Sequence, residues 1–319
     1  MNTTAHRSFA GWTPIHVFRG TPQPEILWSR LGTARFDDSF FTQTVTGALN
    51  TPLPKLLQRT TSLDELVAAS EREPAVEPRG FIFHVSRCGS TLVSQMFARL
   101  PRIITISEAY PLMDATDDPR LSPEDRRRAF RALIRLYGRK VNGTEIGSVF
   151  KLGLRENFHW RMITEIFPHV PRLVLHRDPV EVLVSNLASP CEAAFPGVIS
   201  AELLGPSPRP ITNNEDYAMF VFSRIYAAAL DAARAPGSLT LDYTALPDAV
   251  EKRIAPHFGI TLTDAERAAM RAASRINVKD ASDAAFTPDS AGKQASANAA
   301  LREYCTAFIE PIHTQLRAL

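Results

Sequence analysis

Residues 84–91, HVSRCGST, combine residue types that suit the binding of an anion. Gly89 allows the backbone to approach a ligand closely, and the hydroxyls of Ser90 and Thr91 stand where a helix would begin. In a turn of this kind, backbone N–H groups and the helix dipole point into one concavity that holds an anion. The stretch therefore predicts an anion-binding loop. The alternative is a strand, turn and helix with a polar cap and no ligand.

The same stretch departs from the loops that bind ATP or GTP, whose pattern is G-x-x-x-x-G-K-[ST]. His84 stands in the place of the first glycine, and Ser90 stands in the place of the lysine. The positive charge lies three residues earlier, at Arg87. These differences count against a nucleoside triphosphate as the ligand.

A second group of polar residues follows the strand predicted at 171–178, PRLVLHRD. In RDPVEVLVS, Arg177 comes at the end of that strand, and Pro179 occupies a favoured place in the first turn of a helix. Ser185 follows on the same helix. Taken alone, these residues are also consistent with a surface ion pair and an ordinary helical serine. With the loop upstream, they favour ligand binding.

Together, the two motifs resemble those of sulfotransferases that use 3′-phosphoadenosine 5′-phosphosulfate (PAPS), and the bacterial branch of that family in particular. The family's 5′-phosphosulfate loop is similar to SRCGST, and its second motif is similar to RDPVEVLVS. LTLDYTAL, at 239–246, also resembles a later strand of the family. The resemblance covers about residues 80–310. It implies a cofactor site made of Arg87, Cys88, Gly89, Ser90 and Thr91 around the 5′-phosphosulfate, with Arg177 and Ser185 at the 3′-phosphate.

The resemblance also implies which residues would do chemistry. Sulfuryl transfer depends on positioning and on stabilisation of charge. Arg87 would neutralise the leaving phosphate, and Lys151 stands near the place of the family's catalytic lysine, although a strand-end lysine can also be purely structural. Many members carry a histidine two residues after that lysine, where this chain has Gly153. Other branches use a glutamate about 20 residues past the loop, which makes Glu108 the expected base.

Further residues outside the main motif matches are considered as site candidates. His159 is the reserve candidate for the base, although it falls inside a predicted helix. Lys279 and Lys293, in the polar stretch 279–298, are the candidates to close over the nucleotide, as basic residues of a late loop do in the family. His84 and His176 both end strands, but no carboxylate or cysteine spacing supports a metal site, so no metal is expected.

Composition limits the partners and the compartment. The chain has 319 residues, 45% of them hydrophobic, a formal charge of +2 and three cysteines without C-x-x-C spacing. Such a balanced charge does not indicate a nucleic-acid or membrane-binding protein, and the cysteines indicate neither a disulfide framework nor a zinc knuckle. We expect a cytoplasmic enzyme acting on a small-molecule acceptor, with no nucleic acid and no membrane as partner.

The elements that position these residues alternate along the chain. Buried strands are predicted at 80–85, 102–106, 147–153 and 171–178, each followed by a helical pattern. This alternation predicts an α/β protein: a three-layer, P-loop-like fold with a central parallel sheet flanked by helices. Residues 1–75 show little periodicity, apart from a helix expected at 62–71, and are interpreted as an N-terminal extension that packs on the α/β domain of residues 76–319.

Three classes of function remain compatible with these patterns. A PAPS-dependent sulfotransferase explains both motifs. A P-loop kinase lacks its lysine and leaves Arg177 and Ser185 unexplained, and a non-catalytic nucleotide-binding protein stays possible because fold does not guarantee chemistry. The acceptor is not determined by the sequence, although the aromatic N-terminal residues and the proline-rich segment 188–213 weakly favour a partly hydrophobic one. Nothing in the sequence indicates an oligomeric state.

Overall fold

The chain folds into two compact units. The computed structural model describes residues 8–18, 23–275 and 290–319. The first unit consists of the chain up to Pro78 together with Leu100–Phe150, and the second consists of Arg79–Arg99 together with Lys151–Leu319. Within the described residues, no helix is both long enough and apolar enough to cross a membrane.

The strands form two sheets. A three-stranded sheet has the order β1-β2-β3, and a five-stranded sheet has the order β5-β6-β4-β7-β8. The strands are β1 (Thr13–Phe18), β2 (Glu25–Ser29), β3 (Gln58–Thr61), β4 (Pro78–His84), β5 (Ile103–Ser107), β6 (Gly147–Lys151), β7 (Arg172–His176) and β8 (Ser238–Asp242). The strands expected from the sequence, including the later one within LTLDYTAL, correspond to β4, β5, β6, β7 and β8.

Helices fill most of the remaining described chain. They are α1 (Phe41–Leu49), α2 (Pro52–Leu56), α3 (Leu63–Arg72), α4 (Ser90–Ala98), α5 (Tyr110–Asp117), α6 (Pro123–Tyr137), α7 (Trp160–Ile166), α8 (Pro179–Ala188), α9 (Ala201–Leu204), α10 (Asn214–Ala233), α11 (Ala255–His257), α12 (Asp264–Ser274), α13 (Ser290–Ser296), α14 (Ala299–Tyr304) and α15 (Glu310–Arg317). Short 3₁₀ turns cover Arg155–His159, Glu192–Ala194 and Tyr243–Ala245, and π-helical turns cover Val250–Ile254 and Cys305–Ile309.

In the first unit, residues 8–75 hold far more regular structure than their weak periodicity indicates. β1, β2 and β3 pair in antiparallel fashion. Trp28, which is fully buried, donates from Nε1 to Thr61 Oγ1 at 2.8 Å and so ties β2 to β3. The helix expected at 62–71 is confirmed as α3: Ser62 and Glu65 cap its first turn reciprocally, as a capping box does.

Arginines of α6, together with Arg139 directly after it, bind other parts of the first unit. Arg128 Nη2 lies 2.6 Å from Asp64 Oδ1, and Arg135 Nε donates to the carbonyl of Ser70 at 3.2 Å. Arg139 Nη1 donates to the carbonyls of Phe9 and Trp12 at 3.1 and 2.7 Å. These arginines therefore help to hold the N-terminal residues and α3.

The second unit carries the loop and the second motif. β4 pairs with β7, and β7 pairs with β8, all in parallel. The long helix α10 packs on β7 and β8, and α15 packs on β8. The expected α/β fold with a central parallel sheet flanked by helices is confirmed. His84, His176 and Asp242 are the last residues of the neighbouring parallel strands β4, β7 and β8. They therefore lie at the same edge of the sheet.

Candidate anion-binding site

The loop between β4 and α4 has an unusual backbone. Ser86, Arg87 and Gly89 all have positive φ, at 71°, 49° and 83°. A left-handed conformation costs a non-glycine residue roughly 1–2 kcal/mol. Such conformations persist only where the surroundings impose them, and they concentrate at ligand sites. Left-handed residues in a turn also direct successive N–H groups toward one side, which makes a concavity for an anion.

Side chains next to the loop impose this conformation. His84 Nδ1 accepts from the N–H of Ser86 at 3.2 Å, and His84 Nε2 lies 3.0 Å from the carbonyl of Leu152. Since Nδ1 accepts, Nε2 carries the proton and donates, so both ring nitrogens are engaged. Asn157 donates to the carbonyl of His84 at 3.1 Å, and Ser86 Oγ donates to Asn186 Oδ1 at 3.3 Å. His84 therefore braces the loop.

Glycine is required at position 89. A Cβ there would lie 2.6 Å from Leu246 Cδ1 and 3.1 Å from Tyr243 Cδ2. Gly89 is also the N-cap of α4, so no side chain caps this helix. The first N–H groups of a helix lack partners inside it. The amides of Ser90 and Thr91 and the positive end of the helix dipole are consequently directed at the loop.

Lys151 brings a positive charge to this loop from the end of β6. It is only 2% exposed, and its Nζ donates to Thr91 Oγ1 at 3.3 Å. The conventional loop lysine is absent, since Ser90 fills its place and is buried. The ammonium group of Lys151 reaches the loop hydroxyl from a different strand.

Arg177 joins the second motif to the loop. Its Nη1 donates to the carbonyl of Arg87 at 3.1 Å, and its guanidinium lies 4.1 Å from the ring centroid of Tyr243. Its Nε donates to Glu181 Oε2 at 2.6 Å, and this pair is largely buried. The hydroxyl of Tyr226 donates to the carbonyl of Arg177 at 2.7 Å. Two motifs 90 residues apart in sequence thus meet in one place.

Helix α13 lies against the second motif. Ser290 Oγ donates to Glu181 Oε2 at 3.0 Å, and Gln294 Nε2 donates to Asp178 Oδ1 at 2.9 Å. Lys293 is on this helix, beside these contacts in sequence. Lys279, the other lysine of the stretch, lies outside the described residues. The hydroxyl of Ser185 donates to the carbonyl of Glu181 at 2.8 Å, one turn earlier in α8.

The remaining loop side chains are directed away from the helix terminus. Arg87 Nη2 donates to the carbonyl of Ser189 at 2.7 Å. The thiol of Cys88 is fully buried and donates to the carbonyl of Leu175 at 3.3 Å. A contribution of Cys88 to anion binding would therefore come from its backbone N–H.

Glu108 directly follows β5 in the first unit. It is partly exposed and has a positive φ of 51°, a third left-handed non-glycine residue at a strand end. Its role as the base stays a prediction. His159, the reserve candidate, ends the 3₁₀ turn Arg155–His159 that precedes α7.

Several residues of the candidate site were not indicated by either sequence motif. Glu181 could have been found as the helical i+4 partner of Arg177, because opposite charges at that spacing attract. Asn157, Asn186 and Tyr226 had no such signal, since their role depends on contacts between distant segments.

His176 does not meet His84. Its Nδ1 lies 3.1 Å from His313 Nε2 and 3.5 Å from Asp242 Oδ2. Burial, followed by the nearby His313, lowers the pKa of His176 to about 4. Burial opposes ionisation of Asp242, but hydrogen bonds from His313 and Thr244 hold the pKa of that carboxyl well below its usual range. These three side chains border a cavity of about 450 Å³ that also contacts Arg177 and Tyr243.

Comparisons with known proteins give matches in structure. No protein-family model and no curated protein matches the sequence significantly. Sulfotransferase STF9 from Mycobacterium avium matches with a TM-score of 0.46 and 15% identity, over 76% of this chain and 79% of that one. A sulfotransferase from Alicyclobacillus acidocaldarius matches with a TM-score of 0.43 and 15% identity, over 76% and 95%.

A third match is the sulfotransferase domain of the Synechococcus PCC 7002 olefin synthase, with a TM-score of 0.41 and 16% identity, over 77% of this chain and 96% of that one. These three matches have TM-scores below 0.5 and identities of 15–16%, so donor and acceptor have to be argued from the residues of the site.

Proposed function

We propose that this protein transfers a sulfuryl group from PAPS to a hydroxyl or amine of a small-molecule acceptor. One observation carries the proposal: Arg177 Nη1 donates to the carbonyl of Arg87, which joins the strand-end arginine to an anion loop that lacks its lysine. A nucleotide with phosphate groups at both its 3′ and 5′ positions needs two neighbouring anion sites. A nucleoside triphosphate needs one continuous site and a metal ion.

The residues present fit such a donor at both ends. The left-handed turn and the uncapped start of α4 supply N–H donors for the 5′ end, and a side chain at Gly89 would crowd that space. At the other end, Arg177 offers a planar guanidinium whose geometry matches phosphate. A 3′-phosphate would share this guanidinium with Glu181 and Ser290, which bind it in the present structure.

PAPS supplies a sulfuryl group whose bond to the 5′-phosphate breaks as the acceptor oxygen or nitrogen forms its bond to sulfur. Lys151 and the first-turn amides of α4 would stabilise the negative charge that develops on the phosphate side. Arg87 would add a second cation after leaving Ser189. Glu108 is our candidate for the group that accepts the proton of the acceptor.

The acceptor is proposed as a small, partly hydrophobic molecule. No macromolecular partner is part of the proposal, because the formal charge of +2 offers no strong electrostatic attraction for nucleic acid. A cytoplasmic location stays an expectation from the sequence.

Ligand binding tests the proposal directly. Adenosine 3′,5′-bisphosphate, the expected product, is titrated by calorimetry into the wild-type protein, with ATP and Mg²⁺ in a parallel titration. We expect micromolar or tighter binding of the bisphosphate and a loss of at least about 100-fold in Arg177→Ala, the size of two charge-assisted hydrogen bonds. Arg271→Ala is the matched control, because Arg271 is also paired with a glutamate, Glu251, at 2.8 Å.

The two nucleotides separate the rival functions. Tight binding of ATP with Mg²⁺, without binding of the bisphosphate, would indicate an unusual kinase loop and reject the proposal. If the bisphosphate binds, transfer of sulfur-labelled sulfate from PAPS to a panel of alcohols, phenols and amines follows. If wild type and Glu108→Gln both bind the bisphosphate but neither transfers sulfate to any acceptor, a non-catalytic nucleotide-binding protein is favoured.

A further inference from the structure

Two histidines and a carboxylate converge where β7 and β8 end. His176 Nδ1 and His313 Nε2 are 3.1 Å apart, and Asp242 Oδ2 lies 3.5 Å from the first and 3.6 Å from the second. All three ligand atoms lie within 4.8 Å of one another. We propose that His176, Asp242 and His313 form a binding site for a divalent first-row transition metal, with Zn²⁺ as the preferred probe.

The spacing of the three atoms fits a tetrahedral ion. Zn²⁺ binds imidazole nitrogen and carboxylate oxygen at about 2.0–2.1 Å, which places two ligands of a tetrahedron roughly 3.3–3.4 Å apart. The three observed separations of 3.1, 3.5 and 3.6 Å bracket this value. The three side chains therefore already outline one face of a tetrahedron, and little movement is needed to place an ion above it.

The scaffold holds these atoms on regular elements. His176 and Asp242 end neighbouring parallel strands and face each other in register, and His313 lies on α15, which packs against β8. Sites on strands and helices are positioned more accurately than sites on loops. His176 is 1% exposed and His313 is 6% exposed, so neither ring is free to turn into solvent.

Hydrogen bonds to its other oxygen also orient the carboxylate of Asp242. Asp242 Oδ1 accepts from the N–H and the hydroxyl of Thr244 at 2.9 and 2.7 Å, which leaves Oδ2 for the two histidines. Ligating carboxylates in metal sites are held by partners of this kind. One of the two histidine nitrogens donates to the other, and a bound metal would replace that proton.

The fourth position of the ion would be left to water or to an anion. The three ligands border the cavity of about 450 Å³, which gives an ion a path to the site. Arg253 and Arg317 border the same cavity and favour an anion at that position. Three protein ligands and one exchangeable position distinguish this arrangement from the closed four-ligand sites that only stabilise a fold.

Metal binding to the untagged full-length chain tests this inference independently of any sulfuryl transfer. The protein is stripped with a chelator and titrated with Co²⁺, whose visible spectrum distinguishes tetrahedral from octahedral coordination. We expect one Co²⁺ per chain with the intense bands of a four- or five-coordinate ion, and displacement of that ion by one equivalent of Zn²⁺.

Variants locate the ion. His313→Gln and Asp242→Asn should each weaken Zn²⁺ binding by at least about 100-fold, the upper end of what loss of an outer-sphere partner costs. Thr244→Val, which removes only one hydrogen bond to Oδ1, should weaken it by roughly 10-fold. His169→Gln, at an exposed position, is the matched control and should leave the affinity unchanged.

Two results would overturn the inference, and neither depends on a variant that fails to fold. One is a wild-type chain that binds no stoichiometric Co²⁺ or Zn²⁺. The other is an ion with an octahedral spectrum whose affinity is the same in folded His313→Gln and Asp242→Asn, which would place it elsewhere. Thermal unfolding of each variant without metal shows whether the comparison is between folded proteins.

Discussion

At Gly89 of the candidate anion loop, both the backbone conformation and the neighbouring side chains disfavour a larger residue. Its φ of 83° is left-handed, and a Cβ would lie 2.6 Å from Leu246 Cδ1. We expect Gly89→Ala to lower the free energy of unfolding by about 2–3 kcal/mol, roughly 1 kcal/mol of it from the backbone and the rest from crowding. We also expect the variant to lose affinity for adenosine 3′,5′-bisphosphate, because the loop amides must shift.

Gly197 offers a matched control for this substitution. Its φ is 85°, but a Cβ there would meet nothing within 4 Å. Gly197→Ala should therefore show the backbone cost of about 1 kcal/mol alone and keep the affinity for the bisphosphate. Urea unfolding and calorimetry measure both quantities. Equal effects of the two substitutions on nucleotide binding would mean that the close approach of Leu246 does not shape the site.

Substitution of Lys151 distinguishes a catalytic role of its ammonium group from a purely structural one. Lys151→Met keeps the length of the side chain and removes the charge that contacts Thr91. If the ammonium stabilises the leaving phosphate, the rate of transfer should fall by about 10²–10³, the size seen for loss of one such donor. Affinity for the bisphosphate should fall much less.

The control for this charge is Lys252, whose side chain is 72% exposed and pairs with Asp248. Lys252→Met should leave the rate unchanged. A Lys151→Met enzyme with lower stability but an unchanged rate would show that the lysine only supports the strand end.

At the scale of the element, helix α6 and the residues that directly follow it provide a prediction about stability. Arg139 donates to two backbone carbonyls, of Phe9 and Trp12, and burial lowers the pKa of this arginine. Charged hydrogen bonds of this kind contribute about 1.5–3 kcal/mol. We expect Arg139→Ala to lower the free energy of unfolding by about 2 kcal/mol.

Arg128, which lies within α6, is the control. Its partner Asp64 has a side chain that is 83% exposed, and exposed pairs contribute less than about 1 kcal/mol. Arg128→Ala should therefore be nearly neutral in urea unfolding. A larger effect at Arg128 than at Arg139 would mean that this helix is held by its surface pairs.

Comparison of these elements with the sequence shows what a single sequence can predict. Strands β4 to β7 and helices α4 and α8 were predictable because each has a strong local pattern and a glycine or proline at its boundary. The small sheet β1-β2-β3 was missed, because its strands mix polar and apolar residues without a clear pattern and its pairing joins Trp28 to Thr61 across 33 residues. The two motifs of the candidate anion-binding site were local as well, whereas the His176, Asp242 and His313 cluster brings together three separate segments.

At the scale of the whole molecule, residues 1–75 form part of the first unit and are expected to be needed for its folding. That unit takes in the chain up to Pro78 and Leu100–Phe150, so the N-terminal residues and α6 belong to one compact body. Helix α3 packs on α6, the ring of Phe41 lies 5.2 Å from that of Tyr137, and Tyr137 donates to the carbonyl of Pro14.

Removal of residues 1–75 should therefore unfold the first unit. It would take away α3 and β1, which pack on α6, and α6 carries four large apolar side chains that are at most 4% exposed: Phe130, Leu133, Ile134 and Tyr137. Each large side chain contributes about 1.5–3 kcal/mol when buried, so exposure of all four would cost roughly 6–12 kcal/mol, as large as the stability of a typical domain. We expect an aggregated product without a cooperative unfolding transition.

Supplying the missing part separately sharpens this test. Co-expression of residues 1–75 as a second polypeptide should return soluble protein, because the fragment restores the partners of α6 without a covalent link. A truncated chain that is soluble by itself, unfolds cooperatively and binds adenosine 3′,5′-bisphosphate with wild-type affinity would contradict the prediction. Residues 1–75 would then be a dispensable extension, and the buried face of α6 would have to be covered by other residues of its unit.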